Sequence, residues 1–227
     1  MAAVDFDRLY HAAVLRERLL ETSWGYRAFR RLISADHSMA VIVSDHVRPT
    51  ESDRVLDVGC GNADLASFLP RSVSYLGIDN NSKYVKSARA RGLDVIEAGV
   101  ADLATVEREP FDAIVLVGVL HHLDDAVAER LVQDCGPALN PGGRFISVDP
   151  VKHVGQVRLS RAIMALDRGK FIRDASGYTR LIASGFSTSS MVIRRDLLPF
   201  PYAHCVIEAT QAIQPMTAIG CDRGSSG

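Results

Sequence analysis

An open, doubly wound α/β sheet is the fold class that this 227-residue sequence predicts. Three observations predict it. Short apolar runs bounded by Gly, Asp or Asn recur at residues 55–58, 73–78, 95–96, 113–117 and 144–148, and helical stretches at 63–69, 82–90 and 124–139 separate several of them. Alternation of that length requires parallel strands joined by right-handed crossovers. The first run breaks into a glycine turn, Val58-Gly59-Cys60-Gly61, directly before a helical pattern. Two late runs, 190–193 and 204–207, are separated by a short segment with Pro199 and Pro201, which suits an antiparallel hairpin at a sheet edge. The expected sheet has seven strands, mostly parallel, with an antiparallel C-terminal hairpin and an N-terminal helical cap.

The elements follow in order. Leu9, Ala12, Ala13, Arg16, Leu19 and Leu20 keep helical spacing, and Phe29, Leu32, Ile33, Met39 and Val43 continue a second stripe until Pro49 closes the region. Residues 1–48 are therefore expected to form the helical cap. Residues 49–212 are expected to form the main domain, and 213–227, ending in Asp222-Arg223-Gly224-Ser225-Ser226-Gly227, a flexible tail. Asn140-Pro141-Gly142-Gly143 reads as a turn between a helix and the fifth strand. After Asp149 the rhythm changes: an insert at about 150–185 is rich in Arg and carries helical signals at 157–166 and 175–184.

Composition excludes several classes. A hydrophobic fraction of 47% with 23% charged residues is ordinary for a globular chain and rules out wholesale disorder. No apolar run approaches the ~20 residues of a membrane span. The start, with Asp5 and Asp7, lacks the basic region of a signal peptide, so a cytoplasmic protein is expected. Cys60, Cys135, Cys205 and Cys221 show no C-x-x-C spacing, which argues against a zinc site or a disulfide framework. The net charge of −1 conceals an asymmetry, with nine Lys/Arg and three acids between residues 151 and 200. Such a late basic segment directs attention to an anionic partner.

Open α/β sheets bind ligands beyond the carboxyl ends of their strands. There, Gly59 and Gly61 remove side chains where a ligand would approach the backbone, and Asp79 ends the second run with a carboxylate suited to a ribose diol. A dinucleotide would need a third glycine where this chain has Asp64, and a carboxylate there repels a pyrophosphate. S-adenosylmethionine carries a nucleoside, no phosphate and cationic sulfonium and ammonium groups, which suit Asp57 and Asp64.

Five segments, VLDVGCGNADLASFL, LGIDNNSKYVKSAR, AGVADL, FDAIVLVGVLHHLDD and LNPGGRFISVDP, resemble in order the motifs of the class I S-adenosylmethionine-dependent methyltransferases, over about residues 53–150. The resemblance implies a Rossmann-like fold and S-adenosylhomocysteine as product. It further implies that Asp57, Gly59 and Gly61 line the methionine portion and that Asp79 holds the ribose. Asn80 would lie beside the adenine, Asp102 would reach its amino group with Leu103 nearby, and Gly118 and Val119 would face the cofactor. Asn62 departs from the Thr or Ser common at its position, and Asp102 also reads as a helix N-cap.

Methyl transfer from a sulfonium is an in-line displacement, so the protein aligns the reactants and accepts a proton when the nucleophile is a hydroxyl. His121 and His122, directly after the fourth strand, are the first candidates for the base, with His122 favoured; Asp149 and His153 follow. Asp124, Asp125 and Asp149 are a possible carboxylate set for a hard cation, but Asp124-Asp125 reads more simply as an acidic helix start, and no metal is expected. Tyr10, Trp24 and Tyr26 are candidates to face the sulfonium or the substrate from the cap. Arg168, Lys170 and Arg173 are candidates to bind a carboxylate or phosphate of the substrate. The expected activity is O-methylation of an acidic small molecule by a monomer or homodimer. Transfer to carbon or nitrogen, a non-transferring use of the cofactor, and a nucleic-acid methyltransferase are the alternatives; modest overall charge and the absence of a recognition module weigh against the last.

Overall fold

The computed structural model describes residues 35–106, 109–165, 167 and 169–213. Helix α1 (Ala35–Ile42) widens into a π-turn over Val43–Val47 and stops at Arg48, whose φ is 45°. The strands follow as β1 (Arg54–Val58), β2 (Ser74–Asp79), β3 (Val95–Glu97), β4 (Phe111–Val117) and β5 (Leu139–Pro150), with β6 (Phe186–Arg194) and β7 (His204–Ala212) closing the chain. Helices α2 (Ser82–Arg89), α3 (Asp125–Cys135), α4 (Arg158–Ala165) and α5 (Ala175–Ala183) lie between them.

Among the described residues the seven strands form one sheet in the order β3-β2-β1-β4-β5-β7-β6. Pairing is parallel from β3 across to β5 and antiparallel at β5–β7 and β6–β7. The chain builds outward from β1 in one direction and then returns to build outward from β4 in the other. A crevice therefore opens beyond the carboxyl ends of β1 and β4. The central strands are apolar at successive positions because helices cover both faces. Leu56, Ile114, Leu116 and Phe145 pack on the α3–α5 side with Leu131 and Tyr178, whereas Val55, Val115 and Ile146 pack with Ile42 of α1 and Val47 of the π-turn.

Four local expectations are corrected. The helix expected at 63–69 is one 3₁₀ turn, Leu65–Phe68, because Ala63 has a left-handed φ of 56° and Pro70 follows. Helix α3 ends at Cys135 rather than running to 139. Strand β5 already begins at Leu139, opposite Phe111, and Asn140-Pro141-Gly142-Gly143 is a bulge within it, with Gly142 at φ 82°, before pairing resumes at Ala113–Arg144. The last two strands are nine residues each because backbone pairing runs on through the exposed Ser187, Thr188, Ser189 and Ser190, which no hydrophobic pattern marks.

Candidate active site

The glycine turn after β1 is held by the backbone of β2: the N–H groups of Gly59 and Cys60 both donate to Ile78 O, at 2.8 and 3.0 Å. The two glycines serve different purposes. A Cβ on Gly59 would stand 2.7 Å from Val119 Cγ2, so its bareness admits the loop after β4. A Cβ on Gly61, at φ +55°, would meet nothing within 4 Å. Gly61 thus borders open space, and its N–H donates to Asp79 Oδ2 at 2.8 Å. The other oxygen of Asp79 accepts from Asn81 N at 2.8 Å. Each carboxylate oxygen keeps a second lone pair, so the side chain is pinned in place and still able to accept two hydroxyl hydrogens.

Beneath this turn Asp57 is 3% exposed and accepts a hydrogen bond from Tyr75 Oη at 2.9 Å. Burial pushes its carboxyl up to about 7 against the Tyr75 hydrogen bond, and the nearby charges of Asp64 and Asp79 add to the rise. At the rim Arg91 Nη1 reaches Asp64 only at 3.9 Å. Three carboxylates around a bare glycine make a site whose chemistry asks for a cation.

The carboxyl ends of β4 and β5 hold a second arrangement. Asp149 is fully buried, and its Oδ1 accepts both the backbone N–H of His121 (3.1 Å) and the ring Nδ1–H (2.8 Å). On the opposite side of the ring, His121 Nε2 lies 3.4 Å from Asp167 Oδ1. Asp167 also accepts from Tyr202 Oη (2.6 Å) and Gly169 N (2.8 Å). Burial works against charge on His121, but the hydrogen bonds and fields of Asp149 and Asp167 outweigh it and raise the ring to about 9. Burial likewise pushes Asp167 up, but the hydrogen bonds from His121, Tyr202 and Gly169 prevail and hold its carboxyl well below the ordinary range.

Residues 55–143 match the methyltransferase-domain family. Residues 55–143 thus form a methyltransferase domain. A ubiquinone biosynthesis O-methyltransferase of Xylella fastidiosa is 34% identical over 122 residues, covering 49% of this chain and 49% of its own length. The chain thus spans about half the length of the curated relatives it matches. Among solved structures, an S-adenosylmethionine-dependent methyltransferase from Archaeoglobus fulgidus superposes with a TM-score of 0.66 at 14% identity, over 82% of this chain and 99% of that one. The protein PigF with bound SAH superposes with a TM-score of 0.62 at 18% identity, over 76% and 54%. These two share the fold.

The methyltransferase domain's own residues fit its family's cofactor. Asp57 and Asp64 suit the cationic amino-acid end, the open face of Gly61 leaves room beside them, and the free lone pairs of Asp79 suit the ribose hydroxyls. The other expected contact residues are placed as follows. Val119 is buried with a methyl group against Gly59, and Leu103 is buried in the core cluster that includes Leu76 and Ile78. Both side chains are core because the loops that carry them lie directly on the sheet. Asp102 Oδ2 accepts from Gly99 N at 2.8 Å, so it caps its own turn and stays exposed, as does Asn80. Gly118, at φ +70°, follows β4 immediately, and a Cβ there would lie 3.5 Å from His121 Cε1.

The catalytic candidates separate sharply. Both nitrogens of His121 face carboxylates, Asp149 and Asp167. His122 is exposed, its ring centroid 4.1 Å from that of His121. His153 donates from Nδ1 to Val154 O at 2.9 Å, which orients its ring away from a base's task on that side. The Arg173 guanidinium already has partners within the fold: it bonds Asp125 Oδ1 and the carbonyls of Leu120, Leu123 and Phe171 at 2.7–3.0 Å. It is engaged by carbonyls of the turn after β4 and of its own segment together with the Asp125 carboxylate. Lys170 is exposed. Tyr10, Trp24, Tyr26 and Arg168 lie outside the described residues. Of the carboxylates weighed for a cation, Asp124 caps α3 through Val127 N, Asp125 pairs with Arg173 and Asp149 with His121. Asp167, Tyr202 and Tyr75 were not marked by any motif; only their positions after folding bring them to the site.

Proposed function

We propose that this protein transfers a methyl group from S-adenosylmethionine to an oxygen atom of a small molecule. The carrying observation is the cluster of Asp57, Asp64 and Asp79 around the open face of Gly61, within a methyltransferase domain. When bound, the cofactor supplies a methyl group already activated on a sulfonium. The chain then has to bind, orient and take up one proton. Asp57 and Asp64 hold the cationic end, and Asp79 fixes the ribose. His122, exposed beside the β4 loop, takes the hydroxyl proton from the acceptor.

Oxygen as the accepting atom draws support from the similarity to ubiquinone biosynthesis O-methyltransferases over half of the chain. An acidic acceptor is the finer part of the reading. With Arg173 occupied, it rests on Lys170, exposed at the insert, and on the sequence position of Arg168. Residues 1–48 act as a cap in this reading. Ser38 of α1 donates to Leu197 O in the β6–β7 loop, which places the start of α1 at the sheet end that carries the site. Among the described residues no helix is long and apolar enough to cross a membrane.

The test is binding followed by turnover. Calorimetry should show S-adenosylmethionine and S-adenosylhomocysteine binding and no NAD binding. Incubation of labelled cofactor with hydroxylated acidic and neutral metabolites should give a product heavier by one methyl group. Binding of NAD alone, or cofactor consumption without a methylated product, would overturn the reading.

A further inference from the structure

The geometry points to His121 as a positioning residue: a buried cation held between Asp149 of the sheet and Asp167 after α4, it fixes residues 169–173 against the loop that follows β4. The inference rests on reading the neighbouring crevice as the methyl-transfer site, and it assigns His121 a task other than proton acceptance.

A neutral imidazole has one N–H and can donate to one partner. Here Nδ1 faces Asp149 at 2.8 Å and Nε2 faces Asp167 at 3.4 Å, so two carboxyl acceptors call for two N–H groups. Asp167 is kept ionised by its further donors, Tyr202 Oη and Gly169 N. The surrounding groups leave this charge pattern intact. From β7, His204 is held neutral, its ring lowered to about 4 by burial, and Cys205 is a buried thiol raised beyond its ordinary value for the same reason. From α5, Tyr178 Oη donates to Pro150 O, and His122 stacks on the same turn. Lys170 is exposed, and Arg173 neutralises Asp125 rather than Asp167.

The strap is assembled on this ring. Phe171 N donates to His121 O at 3.0 Å. Arg173 bonds the carbonyls of Leu120 and Leu123, both at 2.8 Å, on the other side of the turn. The strap then joins β5 through Lys152 N, which donates to Arg173 O at 3.0 Å. Removing the proton leaves one carboxylate facing a lone pair, and the strap loses its tie to the sheet at Asp149. Because Gly118 lies against the ring, that release reaches the residue directly after β4.

The test uses the full chain without substrate. Nitrogen NMR of labelled histidine should show both ring nitrogens of His121 protonated at pH 7.5, with deprotonation near pH 9. Hydrogen-exchange protection of residues 169–173, corrected for the intrinsic pH dependence, should fall at least tenfold between pH 7.5 and 9.5. Asp167→Asn should lose that protection already at pH 7.5, while β4 stays protected. If Asp167→Asn fails to fold, Tyr202→Phe decides: a loss confined to 169–173 supports the inference and an unchanged profile overturns it. A neutral His121 at pH 7.5, or wild-type protection in Asp167→Asn, also overturns it. Failure of S-adenosylhomocysteine to bind in calorimetry would instead count against the methyl-transfer reading, since the NMR and exchange results do not depend on that ligand.

Discussion

Gly169 lies flat on the imidazole of His121: a Cβ at that position would stand 1.9 Å from Cδ2 and 2.9 Å from Cγ. A side chain has no room there, and Gly169 N donates to Asp167 Oδ1 at 2.8 Å. No flexible neighbour can yield, because the ring is fixed by Asp149 behind it. Gly169→Ala should therefore destabilise the fold by about 1–3 kcal/mol, the usual cost of forcing one carbon into a packed site. Chemical denaturation monitored by circular dichroism measures this, and a loss below about 0.5 kcal/mol, the range of neutral surface changes, would contradict the packing described.

The two glycines of the β1 turn should respond differently to the same substitution. Gly59→Ala meets Val119 at 2.7 Å in addition to a φ of +68°. Gly61→Ala meets nothing within 4 Å and bears only the strain of its φ of +55°. Placing alanine in the left-handed region costs roughly 1–2 kcal/mol. Gly61→Ala should therefore cost about that much stability yet weaken S-adenosylhomocysteine binding tenfold or more. Gly59→Ala should cost more stability. Paired denaturation and calorimetry separate the two, and equal stability losses would count against the assigned contact between Gly59 and Val119.

Cofactor binding should depend on pH through Asp57. Its carboxyl is raised to about 7 in the folded chain, first by burial, against the hydrogen bond from Tyr75. Because the folded value lies above the unfolded one, the apo protein draws stability from protonated Asp57. That contribution is complete below the unfolded value and is lost as pH rises through about 7. A bound cation favours the ionised form. S-adenosylmethionine should thus expel a proton on binding below pH 7, and its affinity should fall by up to about tenfold per pH unit there. Calorimetry at pH 6 in buffers of different ionisation enthalpy reads the proton directly. Tyr75→Phe removes the one interaction that lowers Asp57 and should move the affinity midpoint upward; an unmoved midpoint argues that Asp57 does not face the cation.

The sheet was legible because its central strands, 55–58 and 113–117, are apolar apart from Asp57 and are each followed directly by Gly, a pattern visible in the local sequence. The cofactor side was legible for a related reason. Asp57, Gly59, Gly61 and Asp79 belong to two adjacent strand ends and keep a short, ordered spacing. The clamp on His121 was not, since Asp167, which faces the ring, and Tyr202, which donates to Asp167, come from separate loops and neither carries a local pattern. Arg173 shows the converse. Its run of cations suggested an anion, yet the turn after β4 presents carbonyls that accept from its guanidinium. Charge counted along a chain does not reveal which charges the fold itself consumes.

That distinction between Arg173 and Lys170 yields a direct comparison. The Arg173 side chain is 10% exposed and its fork spans Asp125 and three backbone carbonyls. Arg173→Ala removes its bonds to those carbonyls and to Asp125 and should destabilise the fold by about 2–4 kcal/mol, several times the worth of one surface ion pair. Arg173→Lys should restore only part of this, because an ammonium cannot reach several acceptors with a planar fork. Lys170 is exposed, so Lys170→Ala should change stability by less than about 0.5 kcal/mol. If the acceptor is acidic, Lys170→Ala should raise KM for it several-fold at constant kcat, the mark of an interaction made equally in ground and transition states. The pattern fails if Arg173→Ala is as stable as the parent, or if Arg173→Lys fully matches the parent.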